Sequence, residues 1–271
     1  MGNGEGTGLS HRGLNLSNNM RIAQISDTHI LARASDHSEV DRRADWLRRC
    51  IADINQQQAN AVVFTGDTVH LGQDEEYAYL RELLAPLIPP LYLVPGNRDN
   101  NQALSSAFRD FAYLPEGDEH LHYEIDDHWL RFVAIDSTAK GERKGIFCEA
   151  RQQRLESVLS EQPDKPTVLF IHHPPFDVDD HYVGGYRKAN EAAALAKIIS
   201  EHKQVLALLC GHVHCAVDYN WAGTRALAMP SIAVDLRKEV DESEALERPI
   251  YLLHEFTDNV RFNSQARMVS N

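Results

Sequence analysis

Side chains of the types that bind metal ions stand directly after five separate apolar runs of this sequence. Each run is short and rich in leucine or β-branched residues and ends in a polar segment, a pattern typical of a buried strand followed by a loop. The candidate ligands are Asp27, His29, Asp67, Asn97, His172, His212 and His214. In an open α/β sheet the carboxyl ends of the strands line one edge, so we expect these loops to meet in space.

This ligand set indicates two divalent ions that share a carboxylate. Imidazole, carboxylate and amide groups without thiolate suit manganese or iron first, with zinc as an alternative. Seven candidate ligands are too many for one tetrahedral ion. Asp27 with His29, and His212 with His214, are spaced two residues apart and would point the same way from an extended segment. Two ions about 3.5 to 4 Å apart are the usual means of hydrolysing phosphate esters.

Taken one at a time, a D-x-H, G-D or H-x-H pattern is more often structural or solvated than metal-binding. Their common position at the ends of apolar runs reverses that expectation. His173 follows the same apolar run as His172. Of the remaining histidines, only His70 and His181 stand in loops that could reach the site, and the others are expected at the surface or in satisfied positions. Cys210 ends an apolar run and is expected in the core rather than on a metal.

Helical patterns alternate with the apolar runs. Strands are predicted at 21–25, 61–65, 91–94, 131–135, 167–171 and 205–210. The clearest helix is predicted from residue 38 to 58, where apolar residues recur in steps of four and three at Val40, Ala44, Leu47, Ile51 and Ile54. Weaker helices are predicted at 74–85, 100–110, 149–160 and 189–201. The alternation predicts a largely parallel central sheet with helices on both faces, and the strand-rich C-terminal part predicts a further sheet.

The composition is that of an ordinary globular protein. With 271 residues and a net charge of -13, the chain lacks the excess of Lys and Arg on which binding to nucleic-acid polymers or anionic membranes depends. Its four cysteines show no CxxC spacing, which predicts reduced thiols and a cytoplasmic location. No apolar run approaches the roughly 18 residues of a membrane span. Residues 1–20 are expected to form a flexible tail and residues 21–271 a single domain, while a homodimer remains open.

Five motifs, in order along the chain, carry a resemblance to a known family. They are SDTH (26–29), TGDT (65–68), GNRD (96–99), HHPP (172–175) and GHVH (211–214). From residue 21 to about residue 255 the chain resembles the calcineurin-like metallophosphoesterases, and within them it looks most like the class III cyclic nucleotide phosphodiesterases. The resemblance implies an α/β fold, a four-layer α/β/β/α sandwich with a dinuclear metal site at the carboxyl ends of the strands.

The resemblance also implies how the ligands are shared and what the protein does. Asp27, His29 and His214 would hold the first ion, Asn97, His172 and His212 the second, and Asp67 both. The implied enzyme is a phosphodiesterase that acts by in-line attack of a metal-bridging hydroxide, with 3',5'-cyclic AMP as the first expected substrate among small-molecule phosphodiesters. Alternatives are 2',3'-cyclic nucleotides, glycerophosphodiesters, phosphonate esters and phosphomonoesters, or a non-catalytic scaffold with the same fold.

One position departs from the family pattern. Where the family has a histidine thought to assist the leaving group, this chain has Arg98. Arginine stays protonated at any ordinary pH and cannot act as a general acid, but its planar fork can hold two phosphate oxygens. We therefore expect Asn97 and Arg98 to be catalytic residues, while protonation of the leaving group would fall to water, His173 or His70. The alternative is that Arg98 points away and pairs with Asp99 or another acid.

The segment after HHPP, residues 176–190, is the expected substrate loop. Its aromatic rings could stack on a base and its cations could hold a phosphate, with a solvated loop as the alternative. The candidate substrate-binding residues are Arg98, His173, Tyr182, Tyr186 and Arg187.

Overall fold

The structure is a computed structural model that describes residues 19–115, 120–178, 185–232, 248–257 and 261–270. The predicted tail lies outside these ranges except for its last two residues. Within the described ranges the chain forms five helices and eleven strands. None of these helices is long and apolar enough to cross a lipid bilayer.

The five helices lie where the sequence predicts them. They are α1 (Val40–Gln56), α2 (Asp74–Leu84), α3 (Asn101–Ala107), α4 (Glu149–Glu161) and α5 (Ala189–Glu201). The predicted apolar face of α1 is buried, and it also carries the buried Arg43. Asn100 caps the N-terminus of α3, because its side-chain oxygen accepts hydrogen bonds from the backbone amides of Gln102 and Ala103 at 3.1 and 3.2 Å.

The strands form two sheets that each mix parallel and antiparallel pairs. The first has five strands in the order β11-β10-β1-β2-β3 and the second has six in the order β4-β5-β6-β7-β9-β8. The first-sheet strands are β1 (Met20–Ile25), β2 (Ala61–Phe64), β3 (Leu91–Leu93), β10 (Ile250–Phe256) and β11 (Phe262–Met268). The second-sheet strands are β4 (Tyr123–Ile125), β5 (Arg131–Ile135), β6 (Thr167–Ile171), β7 (Val205–Cys210), β8 (Val217–Trp221) and β9 (Thr224–Ala228).

Alternate residues of the second sheet face different layers, as the pleat of a strand requires. In β5, Phe132 and Ala134 pack in the larger core, which includes α1 and the first sheet. Val133 and Ile135 pack in a second core with residues of α4 and α5. The layers therefore run helix, sheet, sheet, helix, and the predicted four-layer α/β/β/α sandwich is confirmed.

The expectation of one central parallel sheet plus a further C-terminal sheet was wrong. The parallel strands divide between the two sheets, and each hairpin extends one of them. The β10-β11 hairpin joins the first sheet through an antiparallel pair of β10 with β1, and the β8-β9 hairpin joins the second through a parallel pair of β9 with β7. The strands have apolar residues on both faces, so hydrophobicity alone does not reveal whether a strand faces a helix or a second sheet. The short strand β4 was not predicted.

A chain of buried hydrogen bonds joins the two sheets just below the strand ends. The Nε2 atom of His254, on β10, lies 3.0 Å from Oε1 of Gln24, on β1. The Gln24 amide nitrogen donates to the Thr65 hydroxyl at 3.0 Å and to the Cys210 carbonyl at 2.9 Å. Because Gln24 Oε1 can only accept, Nε2 of His254 carries the ring proton. Its Nδ1 atom is buried and has no hydrogen-bond partner in the described part of the chain.

We expect His254 to destabilise the metal-free protein as the pH falls. Burial, together with the charge of Arg225, lowers the pKa of His254 to about 3, against about 6.5 for an exposed histidine. Between these values the unfolded chain binds a proton that the folded chain does not, so the free energy of unfolding falls by about 1.4 kcal/mol per pH unit. His254→Asn removes this contribution.

Urea unfolding of EDTA-treated protein measures the effect. Between pH 6.5 and pH 5, the wild type should lose about 2 kcal/mol more unfolding free energy than His254→Asn. The exposed His37 offers a matched control, since His37→Asn should behave as the wild type. Equal losses in the wild type and His254→Asn would contradict the prediction.

Candidate metal centre

The seven candidate ligands lie together at the carboxyl ends of strands from both sheets. Four follow β1, β2 and β3 of the first sheet, and three follow β6 and β7 of the second. Backbone hydrogen bonds continue the strand ladders into these loops, from Asp27 N to Gly66 O and from His29 N to Asp67 O, both at 3.0 Å. The two sheets therefore bring their ligand loops to one edge of the sandwich.

A first cluster consists of Asp27, His29 and His214, whose ligand atoms all lie within 4.8 Å of one another. The Nε2 atoms of the two imidazoles are 3.3 Å apart. Oδ1 of Asp27 lies 3.2 Å from Nε2 of His214 and 3.8 Å from Nε2 of His29. Three potential ligand atoms thus surround one point, and all three side chains are buried.

A second cluster adjoins the first and shares Asp67 with it. Oδ2 of Asp67 lies 3.7 Å from Nε2 of His29, while Oδ1 lies 3.5 Å from Nε2 of His172. The same His172 nitrogen is 3.3 Å from Oδ1 of Asn97 and 3.2 Å from Nδ1 of His212. Asp67 therefore presents one carboxylate oxygen to each cluster. This arrangement suits a carboxylate that bridges two ions.

Five of the seven residues have backbone φ angles in the left-handed region. The values are 52° for Asp27, 44° for His29, 48° for Asp67, 70° for His212 and 55° for His214. The extended conformation expected for the two-residue pairs is therefore wrong. His212 and His214 instead face different clusters, because the backbone turns between them. A left-handed residue other than glycine costs of the order of 1–3 kcal/mol, and such strain clusters at functional sites.

The two carboxylates destabilise each other when no cation is present. Burial, with the negative charges of Asp27 and Asp99, raises the pKa of Asp67 to about 7. Burial opposes ionisation of Asp27 as well, but His214, with further help from His172 and His29, holds the pKa of Asp27 below its usual range. Two buried carboxylates in one cluster require positive charge beside them.

Hydrogen bonds from neighbouring groups orient the candidate ligands. Nδ1 of His172 lies 2.7 Å from the carbonyl oxygen of Thr65, which directs Nε2 into the second cluster. The Ser26 hydroxyl donates to Oδ2 of Asp27 at 2.5 Å. A methyl group at Gly96 would lie 2.2 Å from the backbone nitrogen of Asp67, so only glycine fits there. Ser26 and Thr65 open the motifs SDTH and TGDT, but their residue types alone do not indicate that they orient the ligands.

These residues fit a pair of divalent cations. The donors are imidazole nitrogens, carboxylates and one amide oxygen, a set that suits manganese, iron or zinc. The ring nitrogens of His29, His214 and His172 point inward, and two cations would relieve the repulsion between Asp27 and Asp67.

The Arg98 side chain is exposed at the edge of the site. Its backbone amide donates to Oδ1 of Asp67 at 2.7 Å, and its charge helps to lower the pKa of His70, after burial and Arg43. Within the described ranges no ion pair or side-chain hydrogen bond holds the guanidinium. Asp99 does not take it, because the Asp99 carboxylate accepts from the Gly96 and Thr68 amides, the Thr68 hydroxyl and the Tyr77 hydroxyl.

The other candidate substrate-binding residues are less accessible. His173 is fully buried, and its Nδ1 lies 2.8 Å from the Ser137 hydroxyl. Tyr186 is only 3% exposed and its hydroxyl donates to the His173 carbonyl at 3.4 Å. Arg187 is exposed and pairs with Glu142 at 2.9 Å. Tyr182 and His181 lie outside the described residues. Substrate roles for these residues stay predictions.

The fold and this double cluster define a class of protein, the dimetal phosphoester hydrolases. The chain matches the calcineurin-like phosphoesterase family over residues 20–216, and it belongs to that family. A solved dimetal phosphatase from Danio rerio covers 93% of this chain and 99% of its own, with a TM-score of 0.65 and 16% identity. That likeness confirms the fold.

Two curated relatives are similar over most of their length. A protein of Arcobacter nitrofigilis named probable glycerophosphodiester phosphodiesterase GpdQ is 35% identical over 246 residues, which span 88% of this chain and 89% of the relative. A probable cyclic nucleotide phosphodiesterase of Rhodopseudomonas palustris is 31% identical over 86% of both chains. The present chain is a metal-dependent phosphoric diester hydrolase with a dinuclear divalent metal site. The scaffold alternative is therefore set aside.

Proposed function

We propose that this enzyme hydrolyses small phosphodiesters, with glycerophosphodiesters as the first substrate class. The observation that carries the proposal is the pair of ligand clusters joined by Asp67, with the Arg98 cation at their edge. The choice of glycerophosphodiesters is supported by the 35% identity to the relative named for that activity. Cyclic nucleotides, which include the expected 3',5'-cyclic AMP, form the second candidate class.

The clusters suggest how the chain would hold its metals, with manganese or iron first and zinc as the alternative. Asp27, His29 and His214 would bind one ion, and Asn97, His172 and His212 the other, with Asp67 on both. Such ions supply a water-derived nucleophile at neutral pH and neutralise charge on the phosphoryl oxygens. The chain itself must then bind the diester, orient it and stabilise the departing oxygen.

Asn97 and Arg98 contribute hydrogen-bond donors beside the phosphoryl group. Oδ1 of Asn97 faces the second cluster, so its amide N–H groups are left to donate to a phosphoryl oxygen. The guanidinium of Arg98 presents parallel N–H groups that match two phosphate oxygens and stays charged throughout the pH range. Arg98 therefore holds the phosphate and stabilises the transition state, but does not deliver a proton.

Replacing Arg98 tests this role. We expect Arg98→Ala to lower kcat/KM for diesters by about 10- to 100-fold, since a charge-assisted hydrogen bond contributes about 1.5–3 kcal/mol. Arg98→Lys should recover part of the loss, because it keeps the charge without the planar fork. Arg98→His should introduce a titrating group and change the pH–rate profile. Unchanged rates and an unchanged pH profile in Arg98→His would exclude the proposed role.

Cyclic nucleotides are the second candidate because the relative from Rhodopseudomonas palustris carries that activity in its name. The 2',3'-cyclic isomers have a strained ring, so they need less help for the departing oxygen than 3',5'-cyclic AMP does. An enzyme with Arg98 in place of a group that titrates near neutral pH should therefore favour the 2',3' isomer over the 3',5' isomer.

A matched substrate panel tests the proposed function. Purified protein with added manganese is assayed on glycerophosphocholine, 2',3'- and 3',5'-cyclic AMP, bis(p-nitrophenyl) phosphate and p-nitrophenyl phosphate. The highest kcat/KM among the natural compounds should fall on glycerophosphocholine. A preference for p-nitrophenyl phosphate would contradict diesterase function, and a preference for either cyclic nucleotide would replace the first substrate class. A cytoplasmic location stays a prediction that cell fractionation can check.

A further inference from the structure

His70 lies beside the metal centre in a position that the backbone fixes. Its amide donates to the carbonyl oxygen of Ile30 at 3.0 Å, and Ile30 N donates to Thr68 O at 3.2 Å. Val69 and Ile30 form a parallel bridge that continues the pairing of β1 with β2. The same extension of the sheet thus positions the ligands Asp27, His29 and Asp67 and the side chain of His70.

Imidazole rings extend outward from the first cluster. The rings of His29 and His70 meet edge to face with centroids 5.9 Å apart, and those of His70 and His37 are 6.1 Å apart. Exposure increases along this row, because His29 is buried, His70 is half-buried and His37 is exposed. His70 therefore lies between the metal ligands and solvent.

Arg43 orients the His70 ring. This buried arginine donates from Nη1 to the carbonyl oxygen of His29 at 2.9 Å, and the same nitrogen lies 3.4 Å from Nδ1 of His70. Guanidinium groups only donate hydrogen bonds, so Nδ1 of His70 accepts and Nε2 carries the proton. No hydrogen bond to Nε2 of His70 is present among the described residues.

The segment that carries His70 packs against the loop that carries Arg98. Gly72, two residues after His70, approaches the backbone of Arg98, since a methyl group there would lie 3.1 Å from the Arg98 carbonyl oxygen. The segment carrying His70 and the loop carrying Arg98 are therefore neighbours at the edge of the site.

We propose that Nε2–H of His70, oriented by Arg43, donates a hydrogen bond to the departing oxygen of the diester. The role rests on the proposed phosphodiesterase function and adds a catalytic residue, His70, and a positioning residue, Arg43. In the reaction a bond forms between phosphorus and the oxygen of water, and the bond to the departing oxygen breaks with its electron pair on that oxygen. A proton from water ends on the alcohol through solvent, while His70 keeps its own proton.

The proposal makes the effect of His70 depend on the leaving group. Glycerophosphocholine releases a basic alkoxide, whereas bis(p-nitrophenyl) phosphate releases a stable phenolate that needs little help. His70→Ala should lower kcat on glycerophosphocholine by about 10- to 100-fold and on the aryl diester by less than about 3-fold. His70→Gln, which keeps an N–H donor, should recover part of the loss. His37→Ala, in the outermost ring of the row, should change neither rate.

Two further measurements separate this role from a structural one. Metal content, measured by mass spectrometry, should be the same in His70→Ala as in the wild type. A nitrogen-15 NMR spectrum of the metal-free wild type should show His70 protonated on Nε2, and Arg43→Met should yield a mixture of tautomers. Equal losses on both diesters, a loss of metal, or an Nδ1-protonated His70 would each overturn the proposal. Failure of the wild type on both diesters would instead overturn the proposed function.

Discussion

Asp67→Asn should lower diester hydrolysis by about 10³-fold or more while making the metal-free protein more stable above pH 7. One carboxylate oxygen of Asp67 faces each cluster, and an amide cannot bridge two cations with two anionic oxygens. Without metals, however, the Asp67 charge is unfavourable, since its folded-state pKa is raised to about 7. As the pH rises from about 4 to 7, the unfolded chain loses the Asp67 proton before the folded protein does, so the free energy of unfolding of the metal-free wild type falls. The variant has no such group and shows no such fall.

Activity, metal content and thermal unfolding with EDTA measure these opposite changes. The asparagine keeps the shape of the side chain and can accept the Arg98 amide hydrogen bond, so loss of activity will not reflect a cavity. Glu75→Gln supplies the control, because Glu75 is an exposed acid in the first turn of α2 and should affect neither property. Full activity in Asp67→Asn, with two ions bound per chain, would exclude the bridging role.

Gly211→Ala should disrupt the metal centre through a single added methyl group. A Cβ atom at Gly211 would lie 2.1 Å from Oγ of Ser26, 2.7 Å from Oδ2 of Asp27 and 2.8 Å from the carbonyl oxygen of Thr65. The last of these is the backbone of Thr65, which directly follows β2 and is held by a hydrogen bond from its amide to the Ile25 carbonyl at 3.0 Å, so it cannot readily move aside. We expect a loss of about 1–3 kcal/mol in unfolding free energy, as for other overpacked sites, and at least about a 100-fold loss of activity.

A second glycine distinguishes crowding at the site from a general effect of the substitution. Gly223 lies in the β8-β9 turn with a φ of 83°, and its nearest neighbour, Nζ of Lys203, is 3.9 Å from the added atom. Gly223→Ala should therefore lower stability modestly and leave activity unchanged. Adding Ser26→Ala to Gly211→Ala removes one of the three close contacts and should restore only part of the activity. A fully active Gly211→Ala enzyme would mean that Asp27 needs no such close packing.

Local patterns were enough to predict most elements of this fold. The helix α1 follows from the recurrence of Val40, Ala44 and Leu47, whose side chains are buried together. The apolar runs that became β1, β2, β3, β5, β6 and β7 lie within one residue of their predicted bounds. Periodicity works here because each element must bury one face or both. It could not distribute the strands between two sheets, since that choice depends on contacts between distant segments.

The expectation that Tyr186 and Arg187 contact the substrate depended on residue type alone. The structure buries Tyr186 and pairs the exposed Arg187 with Glu142. Tyr186 was expected to meet the substrate, yet its ring is buried above Gly145 and its hydroxyl contacts a backbone carbonyl. Arg43 was not singled out, because an arginine on an amphipathic helix usually lies in solvent. Only the packed loops reveal that Arg43 reaches His29 and His70.

The sequence by itself determined the chemistry of the centre: which residue types are available, their order, and their position after apolar strands. Those properties reside in the side chains and in local hydrophobicity, which each segment carries independently of the others. Tertiary structure alone decided that Asp67 lies between the two clusters and that His212 and His214 face different ones. Left-handed backbone at Asp27, Asp67 and His212 is unfavourable locally and persists only because the packed sheets enforce it.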